Sequence, residues 1–180
     1  MTDGQQEKSD RFGRIWNAKN AGDVAYLVQA LTDPDHCASA ARFLAELGAQ
    51  DAAIQIVKLL DVTDPTVRAQ AAKALGTLRA KAAVPRLIET ARDDPDDVVR
   101  SYAVGGLGRI GDDEANPTLE ALLSDNEVWI RRGAATALAE TGSDSAIGPL
   151  RAASRRDRWW RRHRYTSAVR EIRKRSAQRA

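Results

Sequence analysis

The stretch Asp-Pro-Asp-Asp-Val-Val-Arg-Ser-Tyr-Ala-Val-Gly-Gly-Leu-Gly-Arg-Ile-Gly, residues 94–111, has relatives before and after it at a spacing of 31 or 32 residues. No other feature restricts the fold as much. Ala40, Ala71, Ala103 and Ala134 share one position of the pattern, and Leu44, Leu75, Leu107 and Leu138 lie four residues later. Leu47, Leu78 and Ile110 follow three beyond that, with Thr141 in the fourth copy. Small at i, Leu at i+4 and apolar at i+7 is one stripe of an α-helix. A unit of this length holds one helical hairpin, which cannot bury enough apolar surface to offset the entropy of ordering it. Each copy must therefore cover the stripe of its neighbour. The composition agrees: alanine is abundant and β-branched or aromatic runs are absent, so the expected class is all-α.

Five units fit this period over residues 21–175, with approximate limits 21–50, 51–80, 81–111, 112–142 and 143–175. Residues 1–20 read as a flexible lead-in in which Phe12, Ile15 and Trp16 form a turn against the first unit, and 176–180 as a short basic tail. In the first helices the buried stripes are expected to be Val24, Leu27, Val28 and Leu31, then Ile54, Val57 and Leu60. Asp33-Pro34 and Asp64-Pro65 mark turns inside the first two units. Pro85 and Pro117 suit first helical turns, where the missing N–H would be unpaired in any case. Gly48, Gly111 and Gly142 stand where helices should stop.

The net charge of +3 conceals a division. Residues 151–180 hold 12 Lys/Arg against Asp157 and Glu171, a net +10, which leaves −7 on the rest of the chain. An acidic body with a basic end suits an acidic partner at that end, or attraction between copies. A single cysteine, Cys37, permits no intrachain disulfide and fits a reducing, cytoplasmic setting. No apolar run approaches the length of a membrane span, and the polar N-terminus lacks the apolar segment of a secretory signal.

The run Asp64-Pro65-Thr66-Val67-Arg68-Ala69-Gln70-Ala71-Ala72-Lys73-Ala74-Leu75-Gly76 resembles the short HEAT repeat of the phycobilisome-lyase-like type, and Val99-Arg100 and Ile130-Arg131 continue the likeness. The resemblance implies a right-handed α–α superhelix of about five hairpins whose second helices line the concave side. It also implies a structural ladder. Arg68, Arg100, Arg131 and Arg162 recur at 32, 31 and 31 residues, with Cys37 at the corresponding place in the first unit. Asp94 and Asp125 each stand six residues before their own arginine, and in similar repeats such residues hydrogen-bond between neighbouring units. Bidentate Arg–carboxylate pairs fix geometry well.

Activities found on similar scaffolds meet obstacles here. Deoxyhypusine hydroxylase carries repeated His-Glu iron ligands, whereas His36 precedes Cys37 and His163 precedes Arg164. No metal or cofactor is expected, and neither a nucleophile–base pair nor a phosphate loop is present; Gly105-Gly106-Leu107-Gly108 lies within a helical stripe. Nothing marks a tetrapyrrole pocket of the bilin-lyase kind. One cluster stands out: Arg155-Arg156-Asp157-Arg158-Trp159-Trp160-Arg161-Arg162-His163-Arg164-Tyr165, with Trp129 one unit before Trp160 in the same register. Guanidinium groups pair with anions, and aromatic faces stack on bases or cations. Trp129, Arg158, Trp159, Trp160, Arg161, Arg162, Arg164 and Tyr165 are therefore the candidate contact residues. Two other readings are a solenoid cap with a solvated rim and contact with an anionic membrane surface. The expected function is a non-catalytic scaffold for a partner protein, with nucleic-acid binding through the same end as the alternative. A role related to bilin lyases rests on the resemblance alone.

Overall fold

The computed structural model describes residues 3–156 and 162–179, and all the regular structure in them is helical. Helix α1 (Asp3–Ala21) is followed by five hairpins: α2 (Val24–Ala30) with α3 (Cys37–Glu46), α4 (Ala53–Lys58) with α5 (Pro65–Leu78), and α6 (Val84–Asp93) with α7 (Asp97–Ile110). The last two are α8 (Asn116–Leu122) with α9 (Val128–Thr141), and α10 (Ile147–Arg156) with α11 (His163–Arg179). Short 3-10 turns at Gln50–Ala52, Lys81–Ala83, Asp113–Ala115 and Asp144–Ala146 open the first helices of hairpins two to five.

Local chemistry explains these limits. Asp64 accepts from the Thr66 amide at 2.7 Å with Pro65 next in line, and Asp96 accepts from the Val98 and Val99 amides. Each carboxylate thereby satisfies an amide that the helix leaves unpaired. Gly111 stops α7 in the left-handed region (φ 72°), where a missing Cβ removes the steric penalty. Arg79 occupies the same kind of position after α5 at φ 52°. Gly142 also ends its helix, but in extended backbone at φ −61°.

The repeated stripe is the core. Ala40, Ala71, Ala103 and Ala134 are fully buried, as are Leu44, Leu75, Leu107 and Leu138 to within 1 %. Several expected core positions are corrected. Leu47 is 38 % exposed: α3 ends at Glu46, one position before the places where α5, α7 and α9 end in register, so Leu47 falls just past the helix end. Ile54 is 69 % exposed; α4 starts after a 3-10 turn, and its buried set is Ala52, Ala53, Ile56, Leu59 and Leu60. Val24 opens α2 and faces out.

Consecutive second helices α3, α5, α7, α9 and α11 pack directly on one another, whereas the first helices rest chiefly on their own partners. The closer row forms the inner side of the curve. Small residues allow this approach. A Cβ built on Gly76 would lie 2.5 Å from the Gly106 Cα, and one on Gly106 would lie 2.9 Å from the Ala72 carbonyl oxygen. Between α7 and α9, a Cβ on Gly108 would come within 2.9 Å of the Ala137 Cβ.

Both ends are finished by helices. Most of the stretch read as a lead-in forms α1, whose Ile15 and Ala18 are buried against the first hairpin. Trp16 lies edge-on to Phe43 at 5.7 Å, with the Lys19 ammonium 5.1 Å and 5.7 Å from the two ring centroids. Phe12 and Trp16 remain half exposed. At the other end α11 runs on through most of what was expected to be a separate tail. It buries Tyr165, Ala168 and Ile172. Arg175 donates to the carbonyls of Ala139 and, at 2.9 Å, Gly142, satisfying the open C-terminus of α9. Ser176 donates to Asp144 at 2.8 Å.

Candidate interaction surface

The expected ladder is only partly built. In three units the arginine one residue into the repeated Val/Ile-Arg pair donates through Nη1 to the carbonyl six residues earlier. Arg68 reaches Val62 (3.0 Å), Arg100 reaches Asp94 (3.1 Å) and Arg131 reaches Asp125 (2.9 Å). That bond ties the inter-helix turn to the second helix within each unit. Between units, Arg68 alone of Arg68 and Arg100 meets the carboxylate of the next one: its Nε and Nη2 donate to Asp94 Oδ2 and Oδ1 at 2.8 and 2.9 Å. The Arg68 and Asp94 side chains are 11 % and 6 % exposed. Burial pushes the Asp94 carboxyl up, but the hydrogen bonds from Arg68 and the Asp96 amide outweigh it and hold the group below the usual carboxylate range. The same bond raises Arg68 above its ordinary value.

Arg100 makes no hydrogen bond or ion pair with Asp125. Asp94 follows Pro85 by nine positions, and Asp125 follows Pro117 by eight. The missing residue shortens the path by about 1.5 Å and turns it by about 100°. Asp125 keeps its local role, accepting from the Glu127 amide at 2.7 Å. In the first unit Cys37 replaces the arginine and is buried, which raises its thiol. His36 precedes it as the N-cap residue of α3, with Nδ1 3.2 Å from Asp33 Oδ2. Burial pushes the Asp33 carboxyl up, and the contacts with His36, the Asp35 amide and Arg11 bring it below its ordinary value.

Of the candidate contact residues, Arg158, Trp159, Trp160 and Arg161 lie outside the described residues. Trp129 is 52 % exposed on α9. Arg162 and Arg164 are exposed beside the start of α11. Tyr165 is corrected: it is fully buried, because it occupies the inward position that Ala134 holds one unit earlier. It belongs to the core closure. Part of the basic end is also structural, since Arg156 donates to the Ser124 carbonyl at 3.3 Å and Arg175 caps α9.

Several inner-face residues that share rows with Trp129 and Arg164 escaped the reading of the sequence. Val98, Tyr102, Gly105 and Arg109 lie at i, i+4, i+7 and i+11 along α7, all exposed. Trp129, Gly133, Thr136 and Glu140 repeat the spacing on α9, and Arg164 and Ser167 continue it on α11. A hollow of about 300 Å³ opens between α7 and α9, with Gly105, Gly108 and Gly133 among its lining residues and Arg109, Glu140 and Arg164 around it. A second hollow of about 300 Å³, lined by Thr136, His163, Arg164 and Ser167, adjoins it between α9 and α11. Arg109 donates to Thr77 Oγ1 at 3.1 Å, and Arg164 to Thr136 Oγ1 at 3.3 Å. Superposing the units by register would have disclosed this trough, because Lys73 is followed in the next copies by the smaller Gly105, Thr136 and Ser167.

Gly105 stands apart among the glycines of α7. Gly106 and Gly108 are required by neighbouring helices, but a Cβ on Gly105 would meet nothing within 4 Å. A helix-interior glycine destabilises by about 0.5–1 kcal/mol relative to alanine, and no packing contact accounts for it here.

Among the described residues no group of three or more His, Cys, Asp or Glu gathers where a metal could bind. No described helix is long and apolar enough to cross a membrane.

Comparison with known structures finds related architecture. The complex of CpcE and CpcF of phycocyanin lyase from Nostoc sp. PCC7120 is 22 % identical, covers 82 % of this chain and 98 % of that one, and superposes with a TM-score of 0.67. A designed armadillo repeat protein in complex with the peptide (KR)4 is 20 % identical over 89 % of this chain and 86 % of its own, with a TM-score of 0.65. An engineered protein at 24 % identity covers 89 % and 83 %, with a TM-score of 0.62. These similarities concern the fold. The comparison with curated proteins returned no match. Comparison with protein families matches HEAT repeats over residues 24–104 and 91–170. Those two spans cover the first four hairpins and reach into the fifth, and the chain with its 31- and 32-residue period belongs to the HEAT-repeat family.

Proposed function

We propose that the chain is a non-catalytic scaffold that binds a partner protein through the C-terminal part of its inner face and the arginine-rich last hairpin. The observation that carries this reading is Trp129, a large aromatic side chain left half exposed on the same face of α9 as Gly133, Thr136 and Glu140. Core demands would bury it, and aromatic and arginine side chains dominate the energetics of protein contacts. Arg164 on the adjoining helix supplies the charge. The fold supports the reading: an extended curved surface is the form repeat proteins use for recognition. Among its structural neighbours CpcE stands in complex with CpcF, and a designed armadillo protein holds a peptide.

Nucleic-acid binding is the second reading, favoured by exposed Arg151, Arg155, Arg170, Arg173 and Lys174 on the last hairpin. An accessory role related to bilin lyases has only the likeness of fold behind it. Capture of partners on the immobilised chain, with and without nuclease, separates these readings. The scaffold reading expects a specific protein retained after nuclease and lost with Trp129→Ala plus Arg164→Glu. Retention that disappears with nuclease and falls steeply with salt would replace it with the second reading.

A further inference from the structure

We infer that the trough across α7, α9 and α11 is a binding site for an extended, acidic segment of a partner polypeptide. This rests on the interaction reading above and gives it a chemistry. The floor is built for close approach. Gly105 leaves open space where every other residue type would place a Cβ, and no packing contact requires that glycine. Such a helix position suits a backbone or side chain that must come close to the helix. Two adjoining hollows prolong the floor from α7 to α11. Helices packed about 8–10 Å apart make the crossing of three roughly 16–20 Å, the span of about five or six residues at about 3.3 Å each. A strand-like peptide fits that length.

The charges select its sign. Arg109 and Arg164 flank the floor, and each donates to a threonine hydroxyl and to no carboxylate among the described residues. Glu140 also lines the trough but makes no ion pair with either. Two guanidinium groups held by neutral hydroxyls keep their full charge for an incoming anion, which a carboxylate can meet through both nitrogens. Tyr102 and Trp129, exposed one turn or more towards the helix starts, offer an apolar side chain a place beside the acidic ones. A polynucleotide suits the trough less well. Asp96, Asp97, Asp125 and Glu127 crowd the turns at that same end of α7 and α9 and repel a continuous row of phosphates. A peptide needs its acids only at chosen positions.

The test is selection of a displayed library of random ten-residue peptides on the full chain, followed by fluorescence anisotropy with the recovered sequences. Recovered peptides rich in Asp or Glu around a bulky apolar residue are expected. Their affinity should fall at least tenfold with Gly105→Leu, with Arg164→Glu and with Arg109→Glu, and stay unchanged with Arg92→Glu on the outer layer. Thermal midpoints check that each variant folds, and the two charge reversals serve if Gly105→Leu does not. Basic or unenriched sequences, or equal affinity for the trough variants, would overturn the assignment. So would binding of the oligonucleotide dT20 that the same variants abolish. A nuclease-resistant partner held equally by the parent chain and by Gly105→Leu would overturn it too, while leaving the scaffold reading standing.

Discussion

Arg68 and Asp94 join the second and third hairpins by a two-pronged contact, Nε to Oδ2 at 2.8 Å and Nη2 to Oδ1 at 2.9 Å. Both side chains are nearly buried. Loss of one member leaves the other desolvated without its charge partner, a change worth about 3–5 kcal/mol. Asp94→Ala should therefore lower unfolding free energy by about 3 kcal/mol in urea titration, towards the lower end because Arg68 also donates to Val62 and Thr63. Asp125→Asn, which keeps the turn bond and breaks no Arg100 pair, should change it by about 0.5 kcal/mol or less.

The same pair sets an acid sensitivity. Asp94 is held below the usual carboxylate range, so the unfolded chain takes up its proton first as pH falls. The stabilisation is fully present above about pH 4, the unfolded carboxyl value, and is lost as pH drops through the lower folded value. Urea midpoints measured from pH 6 down to pH 2 should fall less steeply for Asp94→Asn than for the parent chain in the acid part of that range.

Adjacent glycines in α7 should respond with opposite signs. Gly106→Ala forces a methyl to 2.9 Å from the Ala72 carbonyl and should destabilise by about 1–3 kcal/mol. Gly105→Ala points into open space and should stabilise by about 0.5–1 kcal/mol. Chemical denaturation of the two variants side by side decides it. Destabilisation by both would mean that Gly105 also serves the packing.

How much of this was legible beforehand follows from where each signal resides. The Ala/Leu stripe was readable because every unit must bury the same positions, and Leu107 and Ala103 are indeed inside. Leu47 and Ile54 were misplaced because helix ends shift by a few residues without altering composition, and a shift of that size turns a side chain outward. The incomplete ladder depended on one residue fewer between Pro117 and Asp125, a difference visible in the spacing but meaningful only once the helices are placed. The trough was hidden because glycine in a helical stripe looks the same whether it admits a neighbouring helix, as Gly106 does, or opens to solvent, as Gly105 does.

Arg79 offers a local check on helix termination. It holds a left-handed conformation at φ 52°, which a side chain with a Cβ adopts at a penalty of about 1–2 kcal/mol. Arg79→Gly should raise the unfolding free energy by about 0.5–1 kcal/mol, the gain being reduced by glycine's greater freedom in the unfolded chain.

The most direct measurement places folding and recognition on the same sample. Gly105→Leu and the parent chain are compared for thermal midpoint and for capture of a nuclease-resistant partner protein. A midpoint at or above the parent value together with at least tenfold weaker capture is expected. Undiminished capture at an unchanged midpoint would contradict recognition through the α7–α9–α11 trough.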